Sequence, residues 1–432
     1  MFTRTALRIV FACALSATVA GCSGGGSSPS AVPASPAVTA TGPLGSNSTF
    51  VNNPATKFGH VFIVLLENKD ESVTYSSSGA VYLNSVVKPA GVFVPGYYGT
   101  GHASLDNYIS LISGQAPNVL TSADCPYFLN FTTTTTVDDG QEVGSGCVFP
   151  DSVPNVTDEL RAANIPWKSY DEDMGNDPTR EAAACGHPAL NAQDLTQDAE
   201  GPDADNQGIG DQYATRHNPF MYFHSIIDDE AYCQEHVVNA KQFPIDLQSV
   251  ATTPNYVFYT PNLCNDGHDS GCAAPARNGS SDGNYNGIDG EMQYLVPLIT
   301  GSPAFQKDGL LVIIFDEADT SDTSECCGEI PGPNDPDPGE EGPSPSGLGG
   351  GGNVGAVFMS PFFAPGTTTM SQYNHYALLA SVEDIFGVPR IGYAEPTTLN
   401  SIANDATIPA SATRKTDVHR LVTQRKIPFR QP

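Results

Sequence analysis

"HVFIVLLENKDES", residues His60 to Ser72, is the stretch on which the reading of the fold depends. Six apolar residues, Val61 to Leu66, run without a break and stop at Glu67 and Asn68. A strand with one wet face alternates apolar and polar side chains. An unbroken run belongs to a strand covered on both faces, as in parallel sheets. Three other runs share the pattern: "NYVFYTPN" (Asn255 to Asn262), "GLLVIIFDEAD" (Gly309 to Asp319) and "VGAVFMSP" (Val354 to Pro361). Between and around them, "SVPNVTDELRAANI", "DGEMQYLVPLIT" and "YNHYALLASVEDIFG" place apolar residues at helix spacing after polar starts. Strands interleaved with helices predict an α/β fold, a three-layer α/β/α sandwich around a mostly parallel central sheet. There is no internal repeat. "FTTTTTVDDGQEVGSGCVF" reads as an excursion or hairpin, and Gly328 to Asn353 as a long Pro/Gly-rich loop.

The chain of 432 residues is long enough for one large domain or two smaller ones. Its 48 acidic residues against 19 Lys and Arg give a formal charge of −29, which repels nucleic acid and anionic lipid. An anionic substrate would need fixed local positive charge, for which a metal ion is the obvious source. Arg4 and Arg8 precede "IVFACALSATVAGC", an apolar stretch too short to span a membrane. Its end, Val19-Ala20-Gly21-Cys22, resembles a bacterial lipobox; the alternative is an ordinary cleaved signal peptide. The expected organisation is a lipoprotein signal over 1–21, a flexible spacer over 22–56 and one catalytic domain over 57–432. The protein would be exported to the bacterial cell envelope, touching membrane only through a lipid on Cys22.

Beyond Cys13 and Cys22 there are eight cysteines: Cys125, Cys147, Cys185, Cys233, Cys264, Cys272, Cys326 and Cys327. An even number in an exported chain favours disulfides. Proximity suggests Cys264 with Cys272 and Cys125 with Cys147. Zinc at the adjacent Cys326 and Cys327 is disfavoured by geometry.

Ligands of open α/β sheets gather at the carboxyl ends of the parallel strands. Three runs end there in unusual polar residues: Glu67-Asn68, Asn262 leading to "CNDGHD", and Asp316-Glu317. Carboxylate pairs brought together repel unless a cation lies between them, and hard oxygen ligands suit a divalent metal. "GTGHASLDNYISLISGQAP" (Gly99 to Pro117) sets Ser104 at the start of a helix, where free N–H groups suit an oxyanion. On residue type alone, Ser104 is as well explained as an N-cap. "GCSGG" at Gly21 fits a nucleophile-elbow pattern but follows no strand. "DGNYNGIDGEMQ" nearly fits a calcium loop, yet Gln293 stands where a Glu is needed, so a turn into a helix is expected. The isolated His60, His187, His224 and His236 read as structural or surface residues.

The motifs "IVLLEN", "GHASLDNYISLISGQ", "HNPFMYF", "YTPNLCNDGHD", "GLLVIIFDEAD", "GAVFMSP" and "YNHYALLASVEDIFG", in this order from about Gly59 to Pro389, resemble the bacterial phosphoesterase family. That family holds secreted acid phosphatases and phospholipases C within the alkaline phosphatase-like superfamily. The resemblance is closer to the acid phosphatase branch, because the phospholipases usually carry Thr and Arg where Ser104 and Tyr108 stand. It implies one divalent metal ion held by Glu67, Asn68, Ser104, Asp316 and Glu317. It further implies Ser104 as nucleophile, with Asn107, His217 and His268 completing the catalytic set; His102 and His375 lie in matching motifs without an assigned role.

The resulting expectation is a phosphomonoesterase acting on small phosphorylated substrates through a phosphoserine. A phospholipase C-type diesterase and a non-catalytic surface-anchored binding protein are the rivals. Because an ordinary imidazole titrates near about 6.5, a histidine donor is charged mainly in mild acid. Turnover should therefore peak below neutrality, and a pH–rate profile with its maximum above about pH 9 would exclude the histidine role.

Overall fold

The computed structural model describes residues 56–76, 79–137, 139–335, 350–411 and 418–424. The lipobox, Cys22 and nearly all of the spacer lie outside these residues, as do 336–349 of the Pro/Gly-rich loop. Eight strands form one sheet: β1 (His60–Leu66), β2 (Val92–Val94), β3 (Trp167–Asp171), β4 (Val237–Asn239), β5 (Tyr256–Thr260), β6 (Gly309–Phe315), β7 (Ala356–Met359) and β8 (Thr367–Thr368). Their spatial order is β8-β2-β7-β6-β1-β5-β3-β4. β1 pairs in parallel with β5 on one side and β6 on the other, and only β7 runs against its neighbours.

Every residue of β1, β5 and β6 is buried, which requires cover on both faces of the sheet. That cover is helical: α1 (Ser104–Ser113), α2 (Val156–Ala162), α3 (Asn284–Gly301) and α4 (His375–Phe386). α1, α2 and α4 pack on one another, and α3 packs with the helices Pro303–Asp308 and Val418–Gln424. α1 is buried all round and ends at Gly114, where φ is 65° and a Cβ would lie 2.6 Å from the Ile391 carbonyl oxygen, so no side chain fits. α2 opens on a capping box of Asn155 and Asp158. α3 begins inside the stretch that nearly fits a calcium loop, so that stretch is a turn into a helix.

"VGAVFMSP" departs from the parallel expectation: β7 is antiparallel to β6. The described residues between β6 and β7 contain no helix, and a parallel return would need a crossover. β2, β3 and β4 are short or polar and gave no apolar run to read. The stretch Thr132–Ser145 is an antiparallel hairpin, as anticipated. Disulfides join Cys125 to Cys147 and Cys264 to Cys272, together with Cys185 to Cys233 and the neighbours Cys326 to Cys327. His60 pairs with Asp308 at 2.5 Å, at the end of β1 remote from Glu67. Among the described residues, no helix is long and apolar enough to cross a membrane.

Glu383, on α4, accepts from the Ile391 amide at 3.1 Å, and burial pushes its carboxyl up to about 9. The folded state thus holds this proton more tightly than the unfolded chain. The contribution is complete below the ordinary value of 4.5 and is lost as pH climbs toward 9. Glu383→Gln keeps the acceptor and removes the ionisation, so its stability should gain on the wild type by more than ~1 kcal/mol between pH 5 and pH 8. Parallel denaturation midpoints for the two proteins across that range would refute this.

Candidate functional site

Register builds the site. Leu66 pairs with Phe315, so the residues that follow, Glu67 and Asp316, leave the sheet side by side at its carboxyl edge. On the other flank β5 runs into the loop that carries Asp266, whose carbonyl accepts from the Glu67 amide at 3.0 Å. Glu67, Asp266 and Asp316 are all fully buried. Burial, with Asp316 and Asp266 alongside, pushes the Glu67 carboxyl well above the usual range. Burial raises Asp266 and Asp316 as well.

Each oxygen of Glu67 faces its own set of groups. On one side Ser104 Oγ donates to Oε2 at 2.9 Å. Ser104 is therefore no N-cap: Ala103 holds the extended cap position, and the serine hydroxyl turns to Glu67 instead. Asn68 donates its amide N–H to Asp316 Oδ1 at 2.9 Å, and Glu317 donates to the same oxygen at 2.7 Å. The Asn68 side-chain amide donates to Asp316 Oδ1 and to Glu67 Oε2, each at 3.2 Å. On the other side Tyr108 donates to Oε1 at 2.6 Å. His217 Nε2 stands 3.5 Å from Oε1, while its Nδ1 stands 3.3 Å from Asp266 Oδ2. The His217 ring stacks on Tyr108 with centroids 5.2 Å apart, and burial holds its pKa well below the ordinary value.

One observation tests this donor set against a cation. Both ring nitrogens of His217 and Oδ2 of Asp266 are buried without a hydrogen-bond partner. Oxygen donors of this kind with one imidazole suit a hard divalent ion, and the residues fit it. Glu67, His217 and Asp266 alone bring three ligand atoms within 4.8 Å of one another.

The structure places the other expected residues differently. Asn107 Nδ2 donates to the Gly101 and Ala103 carbonyls and to Glu317 Oε2, and its Oδ1 accepts from Thr100 and Gly101. Its amide is thereby committed to the loop before Ser104. Glu317, expected as a metal ligand, accepts from Asn107 Nδ2 at 2.9 Å through its Oε2. His268 lies at the rim, its side chain 30 % exposed, with Nδ1 2.8 Å from Asp269. His375 stands behind the site: its Nε2 donates to the Asp316 carbonyl at 2.6 Å, and burial lowers its pKa to about 4. His102 contacts the Asp322 carbonyl.

Sequence reading missed Asp266, Tyr108 and Lys69 as site residues. Asp266 stood within the quoted "CNDGHD", so its acid at a strand end was a usable signal. Lys69 Nζ donates to the carbonyls of Glu67, Asn68 and Gly267, tying two strand-end loops together. Glu172 holds the third loop through Asn262 and Asn265, and Arg277 bridges Glu172 to Glu291. Apart from those of Lys69 with Glu67 and Asn68, these contacts link residues distant in the chain and had no local signature.

A profile of the phosphoesterase family matches residues 45–389. A phosphate-repressible acid phosphatase of Penicillium chrysogenum is 27% identical over 289 residues, covering 67% of this chain and 53% of that protein. A probable acid phosphatase of Kluyveromyces lactis is 25% identical, covering 84% of this chain and 65% of that protein. This chain thus spans between half and two thirds of the length of those relatives. A phosphatidylinositol-3-phosphatase of Mycobacterium tuberculosis is 23% identical over 78% of this chain and 80% of its own. Among solved structures, an alkaline phosphatase superfamily protein of Vibrio parahaemolyticus aligns with a TM-score of 0.40 at 9% identity, over 80% of this chain and 72% of that one. The motifs met in order along the strands, and a family match across most of the length, lead to one conclusion: the chain belongs to the phosphoesterase family.

Proposed function

We propose that this protein hydrolyses phosphate monoesters through a phosphoserine on Ser104, with one divalent ion at the strand ends. The observation that carries the reading is the buried hydroxyl of Ser104, at the first turn of α1, already donating to Glu67 Oε2 at 2.9 Å. Relatives named as acid phosphatases support the monoester class. Glu67, Asn68, Asp316 and Ser104 would hold the ion, with Asp266 and His217 as further donors beside Glu67. When bound, such an ion supplies Lewis acidity toward phosphoryl oxygen and favours the ionised serine.

The chain's own groups supply the rest. Ser104 Oγ attacks phosphorus while its proton passes to Glu67 Oε2, the acceptor already in contact. The bond to the alcohol breaks, and His268, backed by Asp269, protonates the departing oxygen. In the second half His268 takes a proton from water, the water oxygen bonds to phosphorus, and Ser104 Oγ leaves and recovers its proton from Glu67. The positive end of the α1 dipole, at Ser104, would favour the developing charge. Asn107 is assigned to positioning, since its amide holds the loop before Ser104 and the carboxylate of Glu317. His217, enclosed between two carboxylates, is assigned to the cation cluster and not to proton donation. The protein is read as exported, in keeping with its disulfides, and as anchored by lipid on Cys22.

Ser104→Ala should lower kcat on p-nitrophenyl phosphate by at least ~10³-fold while the fold persists. Retained turnover would exclude the phosphoserine. Asp316→Asn should leave less than stoichiometric metal after dialysis, read by elemental analysis, and chelator-treated wild type should regain activity only on metal addition. Cys22→Ser should move the protein from the membrane to the soluble fraction of its native host; unchanged partitioning would count against the anchor.

A further inference from the structure

A dianion has to enter a strongly acidic site. Glu67, Asp266 and Asp316 line it, and Asp124 and Asp269 stand at its rim. Of the basic side chains touching this cluster, Lys69 has its ammonium committed to three backbone carbonyls. Arg216 is different. It is 4 % exposed, next to His217 in the chain, and its Nη2 meets His268 Nε2 at 3.4 Å. Nη1 donates to the Gln197 carbonyl at 2.8 Å, and Nε stands 3.7 Å from Asp124 Oδ2, beyond hydrogen-bond reach. A guanidinium has five N–H donors, and the hydrogen bonds of Arg216 use one on the Gln197 carbonyl and one, at 3.4 Å, on His268. Asp124 ties Arg216 to the nucleophile's helix: its Oδ1 accepts from the amide of Leu105, the residue after Ser104.

We propose that Arg216, beside His268, is the specificity residue that receives the third non-bridging oxygen of a phosphate monoester and so selects monoesters over diesters. The inference rests on the phosphoserine reading above and deepens it. A monoester carries three non-bridging oxygens and, above its second pKa near about 6, close to two charges. A diester carries two such oxygens and one charge, with an alkoxy group where the third oxygen would be. A planar fork of donors matches the first and gains nothing from that alkoxy group. Arg216 touches the phosphoryl group but no proton passes through it.

The test compares wild type, Arg216→Gln and Arg216→Lys, each checked for metal content and near-ultraviolet circular dichroism. Substrates are p-nitrophenyl phosphate and bis(p-nitrophenyl) phosphate, and calorimetry measures binding of inorganic phosphate. In Arg216→Gln, kcat/KM for the monoester should fall about 10- to 100-fold, the worth of a charged hydrogen-bond pair, and the diester far less. Phosphate binding should weaken by a similar factor, and Arg216→Lys should recover part of both. Equal losses on the two esters, or unchanged phosphate binding, overturn the assignment. If Arg216→Gln does not fold, Arg216→Lys carries the decision, because a point charge in place of the fork should still narrow the monoester preference. Metal-loaded wild type inert toward both esters would reject the proposed function itself, and phosphate calorimetry would still judge Arg216.

Discussion

One constraint orders the rest of this molecule: β1 is held in parallel register between β5 and β6. The pairing of Leu66 with Phe315 leaves Glu67 and Asp316 no choice but to emerge together, and the loop after β5 brings Asp266 to the Glu67 amide. Three carboxyl groups buried without exposure repel one another. Such a cluster persists because the runs beneath it, Val61 to Leu66 and Gly309 to Phe315, are apolar and buried and cannot shift by one residue without turning their side chains to the wrong face. The core thus supports an arrangement that would not assemble by itself.

Around this cluster the fold supplies a layer of supports with little exposure. Tyr108 and His217 stack and address one oxygen of Glu67, and Ser104 addresses the other. Lys69 ties the loops of Glu67 and Gly267 together, and His375 holds the carbonyl of Asp316. Asn107 holds the turn that aims Ser104. Such supports matter because a reacting group misplaced by about 1 Å can lose much of its rate advantage. The proposed chemistry asks these elements for position more than for reactivity, which a divalent ion and the carboxylate of Glu67 would provide.

The apolar runs of β1, β5 and β6 were legible because burial on both faces removes alternation, and the polar residues at their ends marked the reactive edge. β3 and β4 were not: "WKSYD" and "VVN" are too short or mixed, and they are strands because they pair with neighbours already in place. β7 read correctly as a strand but not in direction, since direction depends on the connection and not on composition.

The chain alone determined the α/β class, the buried strands, two of the disulfide pairings and the residue types at the edge, since each follows from local pattern or short separation. Tertiary structure decided what those residues meet. It took Ser104 from a cap to a partner of Glu67, set His217 between two carboxylates, committed Asn107 to a loop, and brought Arg216 to His268. Each of these contacts closes over tens to hundreds of residues or depends on which way a side chain leaves its backbone. Neither is written in any short window of sequence, because the packing of the whole sheet sets both.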